Sequence, residues 1–371
     1  MSYLPWLRLA SQAATKRTMR IIPKSLLCVA IGLTLASCSN TKDDKTLNLY
    51  NWEEYMPQKI LDGFEKETGI SVNYIKFESN EVMYDNLKTA DNANPYDIAM
   101  PSSYFVDKMA KEGLLQELDK AKLSNFKNLE ASFTNTEFDP DNKYSVPYVW
   151  GSTGLIINGA AIDPQTVNSW EDLWRPEYKN QVMLVNDMRD VFGMSLLTLG
   201  YSVNSRNPDE IKAAYAKLTT LIPNIESFNE NDVPLTSYLA TSDATLGMTY
   251  NGKTLIANNE GVSTLLYKYP TEGAILWMDN LVIPKDAKNV DAAHQFINYL
   301  LLPENAKIIS EEIGYAAPNK AALELIQYQL KNNPIVYPSQ EAVEQGDFLA
   351  DVGDEALKVY EQYWEQLKNS L

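Results

Sequence analysis

From residue 46 the chain switches repeatedly between two hydrophobic periods, and that switching limits the folds open to it. "LNLYNW" alternates like a strand, and "PQKILDGFEKETG" has helical spacing opened by Pro57 and closed by Gly69. "ISVNYIKF" is a second strand, "SNEVMYDNLKTA" a helix capped by Ser79, and "PYDIAMPS" a third strand stopped by Pro101. Alternating units of this length predict an α/β protein with a mostly parallel sheet and helices on both faces. Further on, "YSVPYVWGSTGLIIN" is long and apolar enough to run between two lobes, with strands at "QVMLVND" and "ATLGMTY". Helices are expected at about 190–200, 208–221, 289–301, 304–312 and 355–367. No linker rich in Gly, Ser or Pro divides the chain, so two lobes would be joined by several crossings, an arrangement suited to a hinge.

The first 37 residues are a different material, with Arg8, Lys16, Arg17, Arg20 and Lys24 but no acid. Met19 begins a compact secretory signal: a positive start, then the apolar run "SLLCVAIGLTLA", too short to span a membrane comfortably. The run ends in "LASC", which resembles the bacterial lipobox and makes Cys38 the expected lipidated first residue of the mature protein. Residues 38–45 form a short tether. Removing residues 1–37 takes five of the 32 Lys+Arg and none of the 49 Asp+Glu, leaving a mature chain of charge −22. Such a chain repels nucleic acid and favours small cations. The only other cysteine, Cys28, lies in the removed run, so no disulfide is expected. The single histidine, His294, cannot build a His triad or a multi-histidine metal site, and is expected to be exposed on a helix.

One motif misleads. "GMTYNGKT", Gly247 to Thr254, fits the phosphate-cradling loop G-x-x-x-x-G-K-[ST]. That loop needs small residues so that successive N–H groups converge on an anion, and Met248 and Tyr250 are bulky. The better reading is a strand, a turn at Asn251-Gly252 and a helix beginning near Lys253. "DPDNKY", Asp139 to Tyr144, lacks the glycine and distal glutamate of a calcium loop and reads as an Asx-type turn. No cofactor or metal is expected.

The remaining chemistry is aromatic and acidic. "YNWEEY" ends a strand with Trp52, Glu53, Glu54 and Tyr55, and "MPSSYF" supplies Ser102 and Tyr104. "NDMRDVF" puts Asp187 and Asp190 at a strand-to-helix turn, and "WMD" sets Trp277 and Asp279 on one strand face. Each residue alone reads as readily as a cap or a core aromatic. Together they lie where strands hand over to loops, the crevice in which open α/β sheets bind ligands. Aromatic faces attract ammonium groups and carboxylates pair with them, so the set suits a flexible chain of methylenes carrying amines. The ligand would then bring the charge that Asp279 lacks.

At "YNWEEY", "FESNEVMYDNLKT", "YDIAMPSSYFVDKM", "WMDNLVIP" and "IGYAAPN" the chain resembles the spermidine/putrescine-binding proteins of bacterial polyamine ABC transporters, over nearly all of residues 46–367. The resemblance implies a two-lobed periplasmic binding protein fold of type II, closing on a polyamine and delivering it to an inner-membrane ABC permease. It implies lobes at 46–153 with 279–323, and at 154–278 with 324–371, in a monomer without catalytic activity. Carried over by motif, the ligand contacts fall on Trp52, Glu53, Glu54, Tyr55, Ser102, Tyr104, Asp187, Asp190, Tyr250, Trp277, Asp279, Tyr315 and Leu349. The chain departs from the family pattern at Glu53, Asp190, Tyr250 and Leu349, where a threonine, a glutamate, a tryptophan and an amide are expected. These departures leave spermidine and putrescine both open as cargo. The alternatives are a secreted hydrolase using Asp187 and Asp190 as acid and base, and a binding protein for another organic cation.

Overall fold

The computed structural model describes residues 46–89, 95–229, 235–236 and 243–371. The expected signal, lipidation and tether segments lie outside the described residues. Ten strands form one mixed sheet: β1 (Thr46–Trp52), β2 (Ser71–Phe77), β3 (Ile98–Ala99), β4 (Ser145–Asn158), β5 (Val182–Val185), β6 (Ile225–Asn229), β7 (Leu246–Tyr250), β8 (Leu265–Lys268), β9 (Ile275–Val282) and β10 (Asp347–Phe348). Their order is β2-β1-β3-β9-β4-β7-β5-β6, with β10 beside β9 and β8 beside β4. At one end β1 pairs in parallel with β2 and β3. At the other, β5 pairs in parallel with β6 and β7.

Two long antiparallel strands join these ends. The first part of β4, from Ser145, pairs with β9, and the last part, to Asn158, pairs with β7 and β8. Every residue of β4 but Asn158 is buried, as an unbroken apolar strand requires. The result is the expected two-lobed α/β architecture, with β4 and β9 shared between the lobes. Two large cores flank them. One gathers Leu49, Ile60, Phe64, Val146, Leu281 and Phe296. The other gathers Leu184, Val191, Phe192, Leu218 and Tyr360, and continues through Tyr104, Phe105 and Leu349. Each fully buried side chain of this size contributes about 1.5–3 kcal/mol.

Helix boundaries follow local chemistry. Helix Gln58–Thr68 starts after Pro57 and ends at Gly69, whose left-handed backbone (φ 71°) lets its N–H close on Glu65 O. Helix Asn80–Thr89 is capped by Ser79, whose hydroxyl accepts the Val82 N–H. Helices Met188–Thr198, Pro208–Leu221, Val290–Leu300, Pro303–Ile313 and Asp354–Lys368 lie where periodicity placed them. Among the described residues no helix is long and apolar enough to cross a membrane.

Three expectations are corrected. β3 is only Ile98–Ala99, because its pairing with β9 is confined to Ala99 and Pro101 offers no further N–H. No separate turn stands at Asn251-Gly252. Helix Asn251–Asn259 begins directly after β7, with the Asn251 amide accepting Ser152 N–H and donating to Ile335 O. His294 is buried rather than exposed, at 2% accessibility. Its Nε2 accepts the Asp119 N–H at 2.9 Å, so Nδ1 carries the proton and donates to Val290 O at 2.8 Å. With both nitrogens satisfied, a neutral imidazole can leave water.

Candidate functional site

A cleft of about 790 Å³, part of it open solvent, lies beside the shared strands. It is lined by Trp52, Glu53, Glu54 and Tyr55 after β1, by Ser102 and Tyr104 at the helix after β3, and by Asp187 and Asp190 at the start of helix Met188–Thr198. Tyr250 ends β7, Trp277 and Asp279 lie on β9, and Tyr315 and Leu349 complete the wall. Every residue implicated by the family resemblance is therefore in one cleft. Four further lining residues were missed: Asn80, Lys253, Ile256 and Ile313. Asn80 was hidden inside a helix-start pattern, and Lys253 inside the rejected phosphate motif. The isoleucines give no sequence signal distinct from core.

The aromatic wall is continuous. Tyr250 meets Trp277 edge-on at 5.9 Å between ring centroids, Trp277 meets Tyr315 at 5.0 Å, and Tyr315 meets Tyr55 at 5.7 Å. Two glycines permit it. A Cβ on Gly252 would stand 2.5 Å from the Tyr315 ring, and one on Gly151 would stand 2.6 Å from the Trp277 ring. Glycine at 252 thus serves close ring packing, not phosphate.

Asp279 is buried, at 5% accessibility, and the protein meets it with neutral donors. The Tyr55 hydroxyl donates to one carboxylate oxygen at 2.5 Å and the Ser102 hydroxyl to the other at 2.6 Å. Asn80 aligns this relay: its amide accepts the Ser102 N–H and donates to the hydroxyls of Ser102 and Tyr104. Burial, then the Asp279 charge, hold the Tyr55 phenol well above its ordinary value, which keeps it a donor. Burial outweighs the two hydroxyl bonds on Asp279 and pushes its carboxyl up to about 6.

Asp187 caps the helix, accepting the N–H groups of Arg189 at 2.8 Å and Asp190 at 3.0 Å. Burial nevertheless raises its carboxyl. Burial, then the neighbouring Asp187 charge, raise Asp190 well above the carboxylate range, with Thr153 and Tyr250 pulling the other way. Asp190 Oδ1 and Trp277 Nε1 are buried polar atoms with no hydrogen-bond partner among the described residues. Glu81, behind the cleft, is pushed up to about 7 by burial and then by Asp187. The buried Arg189 guanidinium lies 5.1 Å from the Tyr104 ring and 5.5 Å from Tyr360, bonded to Ala350 O and Asn204 Oδ1.

The outer acids differ. Glu54 is exposed at the rim with a left-handed backbone (φ 52°), and Glu53 pairs with Lys76.

Two lobes that share strands β4 and β9 thus flank a cleft lined by acids and aromatics. The family model for bacterial extracellular solute-binding proteins matches residues 59–337. The chain belongs to that family. It is 47% identical over 340 residues to the spermidine/putrescine-binding periplasmic protein of Salmonella typhimurium, covering 92% of this chain and 95% of that one. Among solved structures, the spermidine/putrescine ABC transporter substrate-binding protein PotD of Streptococcus pneumoniae superposes with a TM-score of 0.74 at 38% identity, covering 88% of this chain and 99% of that one. A Treponema pallidum lipoprotein, TpPotD, superposes at 0.76 with 28% identity, over 87% and 99% of the two chains. The resemblance drawn from the motifs is borne out. Family membership makes the chain an extracytoplasmic solute-binding protein rather than an enzyme.

Proposed function

We propose that this protein captures a polyamine, spermidine and/or putrescine, in the cleft and delivers it to an inner-membrane ABC permease. The observation that carries the reading is Asp190: a buried carboxylate lining the cleft, with one oxygen unpartnered among the described residues. A buried acid left short of donors costs free energy that an incoming ammonium offsets. Asp187, Asp190, Asp279 and Glu54 neutralise amines in this reading. Trp52, Tyr104, Tyr250, Trp277 and Tyr315 line the methylenes, with Glu53, Tyr55, Ser102 and Leu349 completing the contacts. The names of the relatives support the cargo.

The lobes in this reading are 46–153 with 279–323 and 154–278 with 324–371, closing about β4 and β9 as a monomer. The "LASC" motif and the Treponema lipoprotein support a lipid anchor on Cys38. Calorimetric titration of the chain from Ser39, unfolded and refolded to strip ligand, tests the cargo. Tight one-to-one binding of spermidine or putrescine is expected. Silence toward both overturns the reading.

A further inference from the structure

Leu349 lines the cleft on a segment with little secondary structure of its own: β10, Asp347–Phe348, ends just before it. One edge of that segment is held by β9, where the Asp347 N–H donates to Ala274 O and the Leu349 N–H to Leu276 O. Backbone groups of successive residues in a strand point to opposite edges, so Phe348 O and the Ala350 N–H face away from β9. Among the described residues no strand covers that second edge.

One side chain covers it instead. The Asn204 amide donates to Phe348 O at 2.8 Å and accepts the Ala350 N–H at 2.8 Å, bracketing Leu349 as a neighbouring strand would. An amide can do both, whereas a carboxylate or an aliphatic side chain cannot. Asn204 is itself tied down by the buried Arg189, whose Nη2 donates to Asn204 Oδ1 at 3.0 Å and whose Nη1 donates to Ala350 O at 3.2 Å. Arg189 stands between Asp187 and Asp190 in the first turn of helix Met188–Thr198. The same turn therefore carries two cleft acids and the anchor of the Leu349 segment. Attachment of the 202–206 loop alone would not need a bracket at this residue, since Arg206 already bonds Asp351 O at 2.7 Å.

Resting on the polyamine reading above, we propose that Asn204, anchored by Arg189, is a positioning residue for the cargo: it holds Leu349 at a set distance from Asp187 and Asp190, so that methylenes meet Leu349 while ammonium groups meet the acids. Asn204 is not among the residues lining the cleft, so its effect passes through Leu349. A wall fixed before the ligand arrives loses little freedom on binding, and the bracket raises affinity by that saving.

The test is titration of the chain from Ser39, and of its Asn204→Ala, Leu349→Ala, doubly substituted and Arg206→Gln variants, with putrescine and spermidine separately. Asn204→Ala should weaken the more tightly held amine about tenfold, and Leu349→Ala at least as much. In the Leu349→Ala background, Asn204→Ala should add less than about twofold, because the side chain it positions is gone. Arg206→Gln frees only Asp351 O, outside the bracket, and should stay within about twofold of wild type. Wild-type affinity in Asn204→Ala overturns the proposal. So do losses that multiply in the double variant, or a loss in Arg206→Gln equal to that in Asn204→Ala. Should Asn204→Ala not fold, hydrogen exchange of the wild-type chain decides: the Ala350 amide should be protected before ligand is added, and open-chain exchange until ligand is added overturns the proposal. Failure of the wild-type chain to bind either amine would instead overturn the polyamine reading itself.

Discussion

Two sets of buried aspartates do opposite things in this molecule. Asp139, in the loop before β4, accepts the backbone N–H groups of Lys143, Tyr144 and Ser145 as well as the Ser145 hydroxyl. Asp97 accepts the N–H groups of Asn48, Lys288 and Asn289 and the Asn289 amide. Both are saturated by the chain itself: Asp97 ties distant segments together, and Asp139 closes its own loop. The cleft acids are under-supplied: Asp279 has one hydroxyl per oxygen, and Asp190 Oδ1 has no partner. Burial is similar in the two sets, at 2% or less for Asp97, Asp139 and Asp190 and 5% for Asp279, so exposure does not separate them. The difference is the count of donors supplied by the protein. In the proposed reading, a structural carboxylate is satisfied from within, and a binding carboxylate is left for a cation from outside.

That contrast makes its sharpest claim at Asp190 and Asp279. Asp190→Asn or Asp279→Asn should weaken polyamine binding by about 2–5 kcal/mol, while stability of the ligand-free fold stays level or rises because a costly buried charge is gone. Titration calorimetry and urea unfolding read the two effects separately. Wild-type affinity in both variants would break the distinction. Asp139→Asn should do the reverse, lowering stability by about 1.5–3 kcal/mol through lost charge-assisted bonds while the folded fraction binds normally. Loss of affinity at full stability in that variant would place Asp139 in the wrong class.

The next effect is proton linkage. Asp279 titrates at about 6 when folded, against an ordinary value of 3.8. Between those values the native state holds a proton that the unfolded chain has lost, so this group's contribution makes stability fall as pH rises through that window. An ammonium ligand prefers the ionised carboxylate, so its affinity should move the other way. We expect binding to strengthen about tenfold per pH unit below about 6 and to level off above it, and the slope to shrink in Asp279→Asn. Affinity independent of pH from about 5 to about 8 would show that Asp279 is already ionised without ligand.

The architecture was legible because strands and helices here keep clean periods and plain punctuation, such as Pro57 and Gly69 around the first helix. Much of the acid-aromatic cleft was legible because its residues sit at strand ends and repeat one theme, whereas Tyr250, Tyr315 and Leu349 came only from the family resemblance. The sequence does not reveal donor counts. "DPDNKY" reads as an Asx-type turn and "WMD" as a strand facing a cleft, but neither says which donors meet the acid. The fold shows three backbone N–H groups and a hydroxyl on Asp139 against two hydroxyls on Asp279. His294 was misjudged for the same reason, since its partners at Asp119 and Val290 are fixed by tertiary packing rather than by any local pattern. Ile256 and Ile313 read as ordinary core until Gly252 and Gly314 bring their segments together.

Glu53 offers the finest division, because it lies in the cleft yet carries its own cation. Its carboxylate is paired with Lys76, whose side chain is 58% exposed, whereas the Glu53 side chain is 24% exposed. By having a cation supplied from within it stands with the acids the chain satisfies, and by position with those lining the cleft. An ion pair at this depth is screened by water and salt and is worth at most about 1 kcal/mol. If donor supply decides role, Glu53→Gln should weaken polyamine binding by less than about 0.5 kcal/mol, and adding salt should erase even that. Lys76→Ala should then release Glu53 and tighten binding slightly, most clearly at low ionic strength. A loss in Glu53→Gln as large as that in Asp190→Asn would mean that position in the cleft, not the number of donors the fold provides, determines which carboxylates hold the ligand.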